Sequence, residues 1–514
     1  MGIRLKYIFI LIIALNSLFL FYYQAFIYRG FFNSDAAIAN ILAQEIISQN
    51  SYYPQSWWYV NGDIWTFYKH TFAIIFTLLG LHAYDVHTLT VISFFLFSLW
   101  LTFAYLRKIG IEDESILIAL IGLSTLYSPM YIREVLGESA YIWYYSAIIG
   151  YLYALKLLQN REKTLLAAFL IFSISLFFVA ENPSRFAIYF LAPLFAPFVL
   201  FHEYIEIRYK KFLLYLFAGL ALGILYRYFI LQHIQMQAGA EKTFLIPFEE
   251  LPQHIWRSFG GLWNFYGGIW EDKAPFVSFG SVVMLLKLLC ATAIFFAPPF
   301  YAIKNRDALS AFERYTIALG YSGFFIIFGI YAITSLHVDG LYAAKENIRY
   351  IIPFVLLISV ANGIVWKFFS KRVKFLLLFS ILLSYLSIQS TLQKDVSAKI
   401  IEQREEVIKI LLDNGVTKGY APYWHSHVFT VLSDNKVEIR PLEDLNYKRE
   451  AGAWLSSSSW YDKTDKGGSF ILMPSEKIEP FERATKEYNL REPTKTITLE
   501  RYKIYLFDTN PITN

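Results

Sequence analysis

The sequence has almost no cysteine, little charge and no internal repeat. Cys290 is the one cysteine among 514 residues, so an intrachain disulfide is impossible and a cysteine-based metal site is excluded. It lies in an apolar run, where a thiol behaves as a small hydrophobe. Charged residues make up 17% of the chain against 56% hydrophobic residues, and the mean hydropathy is +0.41. A soluble domain of this length needs far more polar surface, so the apolar excess must face lipid. No Asp-x-Asp string occurs, which argues against the metal-diphosphate chemistry of nucleotide-sugar enzymes. His233, His254, His337, His425 and His427 lack metal-ligand spacing on a helix. No metal and no cofactor are therefore expected.

What the chain has in quantity is aromatic residues, 19%, and long apolar runs. After Arg4 and Lys6 the first run extends from Tyr7 to about Ile27, too long for a signal-peptide core and followed by no small-x-small cleavage site. Further runs centre near Phe95, Ile121, Ile148, Ile171, Phe190, Phe217, Leu289, Phe325, Leu356 and Ile381. Each is about the ~20 residues that cross a ~30 Å hydrocarbon layer as helix. Only helices satisfy their own backbone there. The expectation is a polytopic α-helical membrane protein of about eleven spans. A shorter run, Phe72 to Leu81, is expected at the interface or as a re-entrant piece.

Charge sets the orientation. Up to residue 392 Lys and Arg number 28 against 22 acidic residues, while from Gln393 the balance is 18 to 19. With the N-terminus in the cytoplasm, 17 of those 28 fall in short cytoplasmic connections, among them Arg107 and Lys108, Lys156, Arg161, Arg306, Arg314, Lys367 and Lys374. That follows the positive-inside bias and gives no sign of nucleic-acid binding. The long connections, at about 29–87 and 232–277, then lie outside with the tail. Loops of that length carry function. Residues 1–392 thus form a transmembrane domain and 393–514 an extracytoplasmic one. The tail reads as a small α/β domain: a helix from Val396 to Leu412 stopped at Asn414-Gly415, strands at Gly419–Tyr423, Lys436–Arg440 and Ser469–Met473, and a closing hairpin of Thr496–Leu499 with Tyr502–Phe507.

The segment after the first span runs Phe31-Phe32-Asn33-Ser34-Asp35-Ala36-Ala37-Ile38-Ala39-Asn40-Ile41-Leu42. Asn33, Ser34 or Asp35 caps a helix whose Ile38, Ile41, Leu42 and Ile46 share one face, a pattern expected to lie flat on the membrane. Asp35 is then either a plain cap or an ionised acid at the positive end of a helix. An Asp just beyond the first span, opening an amphipathic helix in a long outer loop, resembles the GT-C glycosyltransferases, such as protein O-mannosyltransferases and aminoarabinose transferases. The likeness covers the general plan: first-loop acid, many spans, long outer loops and an outer C-terminal domain. Asn61-Gly62-Asp63-Ile64-Trp65 and Tyr420-Ala421-Pro422-Tyr423-Trp424 are similar to segments of bacterial members.

The resemblance implies transfer of a sugar from a polyprenyl-phosphate donor to an envelope glycan, a lipid or a protein, at the outer face of the cytoplasmic membrane. It implies that Asp35 takes a proton from the acceptor as general base. Asp63 is the second acid of the loop and could equally form a turn. The lipid phosphate calls for outer cations, and Arg349, Arg185, Lys345 and Arg133 stand at outer ends of spans; each could instead snorkel or pair with a carboxylate. Glu134 and Glu138 beside Arg133 suit an acceptor amine, a metal or a local ion-pair network. Trp263 and Tyr266, with Trp256 and Trp270 in a glycine-containing loop, suit a sugar platform or an interfacial anchor. The rival readings are a polysaccharide polymerase or ligase and a transporter or lipid flippase. Only Lys287 and Arg227 approach mid-span, as a transporter would need.

Overall fold

The computed structural model describes residues 3–139, 141–200, 209–237, 244–268, 277–335, 348–442, 454–461, 467–487 and 491–511. Among these, seven helices are long and apolar enough to cross a membrane: Lys6–Phe31, Ala83–Lys108, Thr164–Glu181, Lys210–Leu231, Phe279–Lys304, Ala311–Ile333 and Arg349–Phe368. Two helix pairs are bent at a short break, Asp113–Ser124 with Pro129–Glu138 by 91° and Lys371–Leu386 with Ile388–Asp413 by 67°, giving up to nine if each is one span. The expected eleven is corrected on this point. The run near Ile148 does form a helix, Ile142–Gln159, but its tyrosines and Lys156 dilute its apolarity. The run near Phe190 forms a shorter apolar piece, Pro183–Val199. The chain is a multi-pass membrane protein.

Its contacts divide it into two compact units that alternate along the sequence. One comprises Met1–Tyr23, Ile92–Leu225 and Glu241–Gln393; the other comprises Gln24–Val91, Tyr226–Ala240 and Lys394–Asn514. The tail therefore shares its unit with the first long loop and does not make a unit of residues 393–514 alone.

The first unit is a helix bundle around Ile352–Val365, every residue of which is buried. A helix that is apolar on all sides belongs inside a bundle. A Cβ added at Gly363 would stand 2.6 Å from the Ser115 carbonyl oxygen and 2.7 Å from the Ala119 methyl, so the crossing with Asp113–Ser124 requires glycine. Pro298 and Pro299 sit inside Phe279–Lys304, where each removes one backbone hydrogen bond. Side chains replace them: Asn362 Nδ2 donates to the Ile294 carbonyl at 2.8 Å, and the Tyr321 hydroxyl donates to that of Phe295. Ser310 and Glu313 form a reciprocal capping box that starts Ala311–Ile333.

One end of this bundle gathers its basic turns. Lys6 Nζ lies 2.8 Å from Asp113, which also pairs with Arg107, and Lys108 pairs with Glu162. Trp366 Nε1 donates to Glu114 at 2.7 Å, and Lys367 Nζ is 3.6 Å from Glu313. The connections grouped on one side by charge counting are thus neighbours in space.

In the second unit, helix Ser34–Ser48 is capped by Asn33, whose side chain accepts from the Ala36 amide at 2.8 Å. Its Ile38, Ile41, Leu42 and Ile46 are buried, against Lys69–Leu78 and His427–Leu432. Protein covers this face, which corrects the expectation that it lies on lipid. Burial of four such side chains contributes roughly 1.5–3 kcal/mol each. The tail runs through helix Lys394–Asp413 into a five-stranded sheet. With β1 (Trp58–Val60) and β2 (Gln235–Gln237) forming a separate parallel pair, the sheet comprises β3 (Lys418–Ala421), β4 (Glu438–Pro441), β5 (Ser469–Pro474), β6 (Lys495–Thr498) and β7 (Tyr502–Phe507), in the order β4-β3-β5-β7-β6. β3 is parallel to both neighbours and β6–β7 is the antiparallel closing hairpin. Its core is built from Tyr420, Leu442, Ile471, Met473, Phe481, Tyr505 and Phe507.

Candidate active site

In the second unit, Asp35 occupies the first turn of Ser34–Ser48 and is half-buried. The Tyr423 hydroxyl donates to Asp35 Oδ1 at 2.7 Å. The neighbouring Ser34 hydroxyl donates to the Tyr423 carbonyl. Tyr423 follows strand β3 through Pro422 and is itself buried. The two strings quoted above, around Asn33 and around Tyr420, therefore meet at one acid. Further ties hold the tail to the first loop. Trp58 N donates to the Ser456 carbonyl at 2.9 Å, Ser458 N to that of Ser56 at 2.7 Å, and Trp460 Nε1 to Glu45 at 2.8 Å.

Asp63 belongs to a turn. Asn61 and Gly62 take φ of 56° and 72°, a left-handed pair that Asn and Gly adopt readily, and the Asp63 amide bonds back to the Val60 carbonyl at 2.9 Å. Arg227 Nη2 donates to the Gly62 carbonyl at 2.8 Å, and the Asp63 charge acts on the same guanidinium. Arg227 stands four residues from the end of helix Tyr209–Leu231, not at mid-span, and it fastens this turn.

Sequence reasoning passed over two groups here. Tyr423 carried no signal beyond its string, because a phenol that contacts an acid nearly 400 residues earlier leaves no local pattern. Lys69 is 1% exposed, with its ammonium 5.2 Å over the Tyr68 ring. His70 and His427 are fully buried and His425 largely so. Burial disfavours the imidazolium and pulls them from the usual 6.5 to about 3, about 3 and about 4.

In the first unit, Arg133 Nε lies 3.1 Å from Glu134 Oε1 and Arg349 Nη1 lies 3.5 Å from Glu138 Oε2. Both glutamates are 4% exposed, so these groups form an ion-pair network. The charges of Arg349 and Arg185 both reach the Tyr141 hydroxyl. That ring packs among Tyr144, Tyr189 and Tyr350, with centroids 6.1, 6.4 and 5.1 Å away. Arg185 is placed by Asn182, whose side chain caps the turn Pro183–Phe186. Arg349, Arg185, Arg133 and Glu138 thus belong to the one unit. Lys345, with Glu346, lies outside the described residues, as do His337, Trp270 and Asp272.

Trp263 and Tyr266 are corrected. The expected loop is in large part helix Leu251–Phe265. Trp263 packs on Phe259, Phe295 and Phe296, and Tyr266 is 2% exposed against Tyr127. Tyr266 is thus closed to a sugar, whereas Trp263 stays partly exposed, and Trp256 of the same helix is exposed. Lys287 is also structural, since its Nζ donates to the Tyr127 carbonyl at 2.7 Å. Among the described residues no three His, Cys, Asp or Glu side chains group as metal ligands would.

No protein-family model and no curated protein matches this chain. Solved structures do. The crystal structure of ArnT from Cupriavidus metallidurans, bound to undecaprenyl phosphate, aligns over 100% of both chains with a TM-score of 0.57 at 9% identity. The chain therefore has the GT-C fold. Weaker likenesses are to the arabinofuranosyltransferase AftD from Mycobacteria, over 98% of this chain and 40% of that one (TM-score 0.48, 14% identity), and to the oligosaccharyltransferase AglB from Archaeoglobus fulgidus, over 95% and 72% (TM-score 0.44, 12% identity).

Proposed function

We propose that the chain is a membrane glycosyltransferase that moves a sugar from a polyprenyl-phosphate donor to an envelope glycan, lipid or protein at the outer face of the cytoplasmic membrane. The observation that carries this is Asp35, a half-exposed carboxylate at a helix start, hydrogen-bonded by a buried tyrosine, in a chain with the GT-C fold. An ionised carboxylate there takes the proton of an acceptor hydroxyl or amine as that atom attacks the anomeric carbon. The bond from the anomeric carbon to the phosphate oxygen breaks, and the polyprenyl phosphate leaves with the electron pair. Arg349 and Arg185, and Lys345 and Arg133 with them, are the cations assigned to that phosphate. ArnT, crystallised with undecaprenyl phosphate, supports a lipid phosphate as the leaving group. The basic end of the bundle supports a cytoplasmic N-terminus, and with it a C-terminal domain on the periplasmic or extracellular side.

The test is Asp35→Asn. Asn caps a helix about as well as Asp, so the fold survives while the proton acceptor is lost. Sugar incorporation into envelope lipid and glycan, measured in membranes with equal amounts of parent and variant, is expected to fall on the order of 10²–10⁴-fold. Undiminished incorporation in the variant overturns the proposal.

A further inference from the structure

We infer that Tyr423 is the positioning residue for Asp35, so that the C-terminal tail supplies part of the catalytic site; this rests on Asp35 being the base. The geometry is specific. The hydroxyl donates to Oδ1 at 2.7 Å, the short range of a hydrogen bond to a charged acceptor. The backbone of the same residue is fixed at its carbonyl, which accepts from Ser34 and, at 2.8 Å, from Ser426. Its ring is wedged edge-on between Trp424 and His427, with centroids 5.3 and 5.7 Å away. Pro422 sets its approach from β3. The phenol is thus held on both sides before it meets the acid, and neither the acid nor the tail needs to rearrange to make the contact.

A phenol in this place does two things. It stabilises the ionised carboxylate, the form that accepts a proton. It also fixes the rotation of the carboxyl group, because a bonded Oδ1 cannot turn away without leaving a buried donor unmatched. Among the described residues, the other titratable groups on segments packed against Ser34–Ser48 are Lys69 and His70 on Lys69–Leu78, Asp85 and His87 at the start of Ala83–Lys108, His425 beside Tyr423, and His427 on the following helix; Glu45 on the same helix accepts from Trp460 and Gln49. His70, His425 and His427 are held neutral at neutral pH by burial, so they place no positive charge beside Asp35 there.

The experiment compares the parent with Tyr423→Phe as purified full-length protein, together with Asp35→Asn as a blank. Tyr423→Phe keeps the ring and the backbone carbonyl and removes only the hydroxyl. Dicyclohexylcarbodiimide reacts with protonated carboxyl groups, and mass spectrometry of the peptide containing Asp35 gives the pH of half-modification without any sugar substrate. Loss of a hydrogen bond to a charged group is expected to raise that midpoint by about one unit. The acidic limb of sugar incorporation is expected to move up by the same amount. An unmoved midpoint in a folded variant overturns the inference whatever Asp35 does. A moved midpoint, with sugar incorporation undiminished in Asp35→Asn, leaves the bond standing and overturns the base, and with it the catalytic meaning of Tyr423.

Discussion

The two units each hold acids close to a helix end, and they treat them in opposite ways. Glu134 and Glu138 are buried and answered by Arg133 and Arg349. Asp35 is half-exposed, and the partner that holds Oδ1 is an uncharged phenol. A buried ion pair is held by its counter-charge, and removing one member leaves the other stranded at high cost. Asp35 keeps some exposure, and the bond that reaches its Oδ1 comes from a neutral donor. The comparison teaches that acids near helix ends in one chain are held by different chemistry, two by guanidinium groups and one by a phenol.

The largest effect that sharpens the comparison is acid sensitivity of the second unit. His70, His425 and His427 have pKa values lowered in the folded protein to about 3, 4 and 3. Above pH 6.5 both folded and unfolded chains hold them neutral and they contribute no pH dependence. Below 6.5 the unfolded chain binds protons that the folded one refuses, so stability falls as pH drops toward 4. At pH 5 this amounts to roughly 1–2 kcal/mol per imidazole. Thermal unfolding from pH 7.5 to 4.5 should show it, with part of the slope missing in His427→Gln; a flat melting temperature over that range contradicts the burial.

Next in size is Arg349→Ala. The side chain keeps 23% exposure, so the loss in stability should be about 2 kcal/mol, short of the ~3–5 kcal/mol of a fully buried pair. Adding Glu138→Gln should restore the melting temperature, since no uncompensated charge remains. Binding of undecaprenyl phosphate should stay weakened in the double variant, by roughly tenfold or more if a charge-assisted hydrogen bond is lost. Recovery of binding along with stability would reduce Arg349 to a structural partner.

The smallest is Asp63→Asn. The turn with φ of 56° and 72° is retained, and what disappears is the charge beside Arg227. Asp63 is 8% exposed while Arg227 is only partly buried, so a cost of about 1–2 kcal/mol is expected, with sugar incorporation close to the parent's. Collapse of incorporation at normal stability would move the base from Asp35 to Asp63.

Much of this was legible in the sequence, and the parts that were not share a cause. Helical spans, the Asn33 cap, the stop after Asp413 and the β6–β7 hairpin are local patterns, set by periodicity and turn chemistry over a few residues. Positive charge placed the turns that meet at Lys6 and Asp113. The count of spans slipped where Tyr144, Tyr145, Tyr151 and Tyr153 make a buried helix look intermediate, and where breaks after Ser124 and Leu386 bend it. The failures came where long-range packing decides. An apolar face reads the same whether lipid or protein covers it, so the burial of Ile38 and Leu42 beneath the tail was invisible. Tyr266 has the composition of a sugar platform and the environment of a core.

The alternation of the two units along the chain has a consequence for how the protein is made. Residues 24–91 emerge well before 394–514, which follow the spans in between. Until then the face of Ser34–Ser48 that ends beneath His427–Leu432 has no cover from that helix, and Asp35 has no phenol. Contacts this distant in sequence form slowly, and an apolar face left waiting is a target for misassembly. The bond on Asp35 can therefore form only in a chain that has been synthesised through Tyr423, which separates the making of this acid's surroundings from the making of the acid by nearly 400 residues of synthesis.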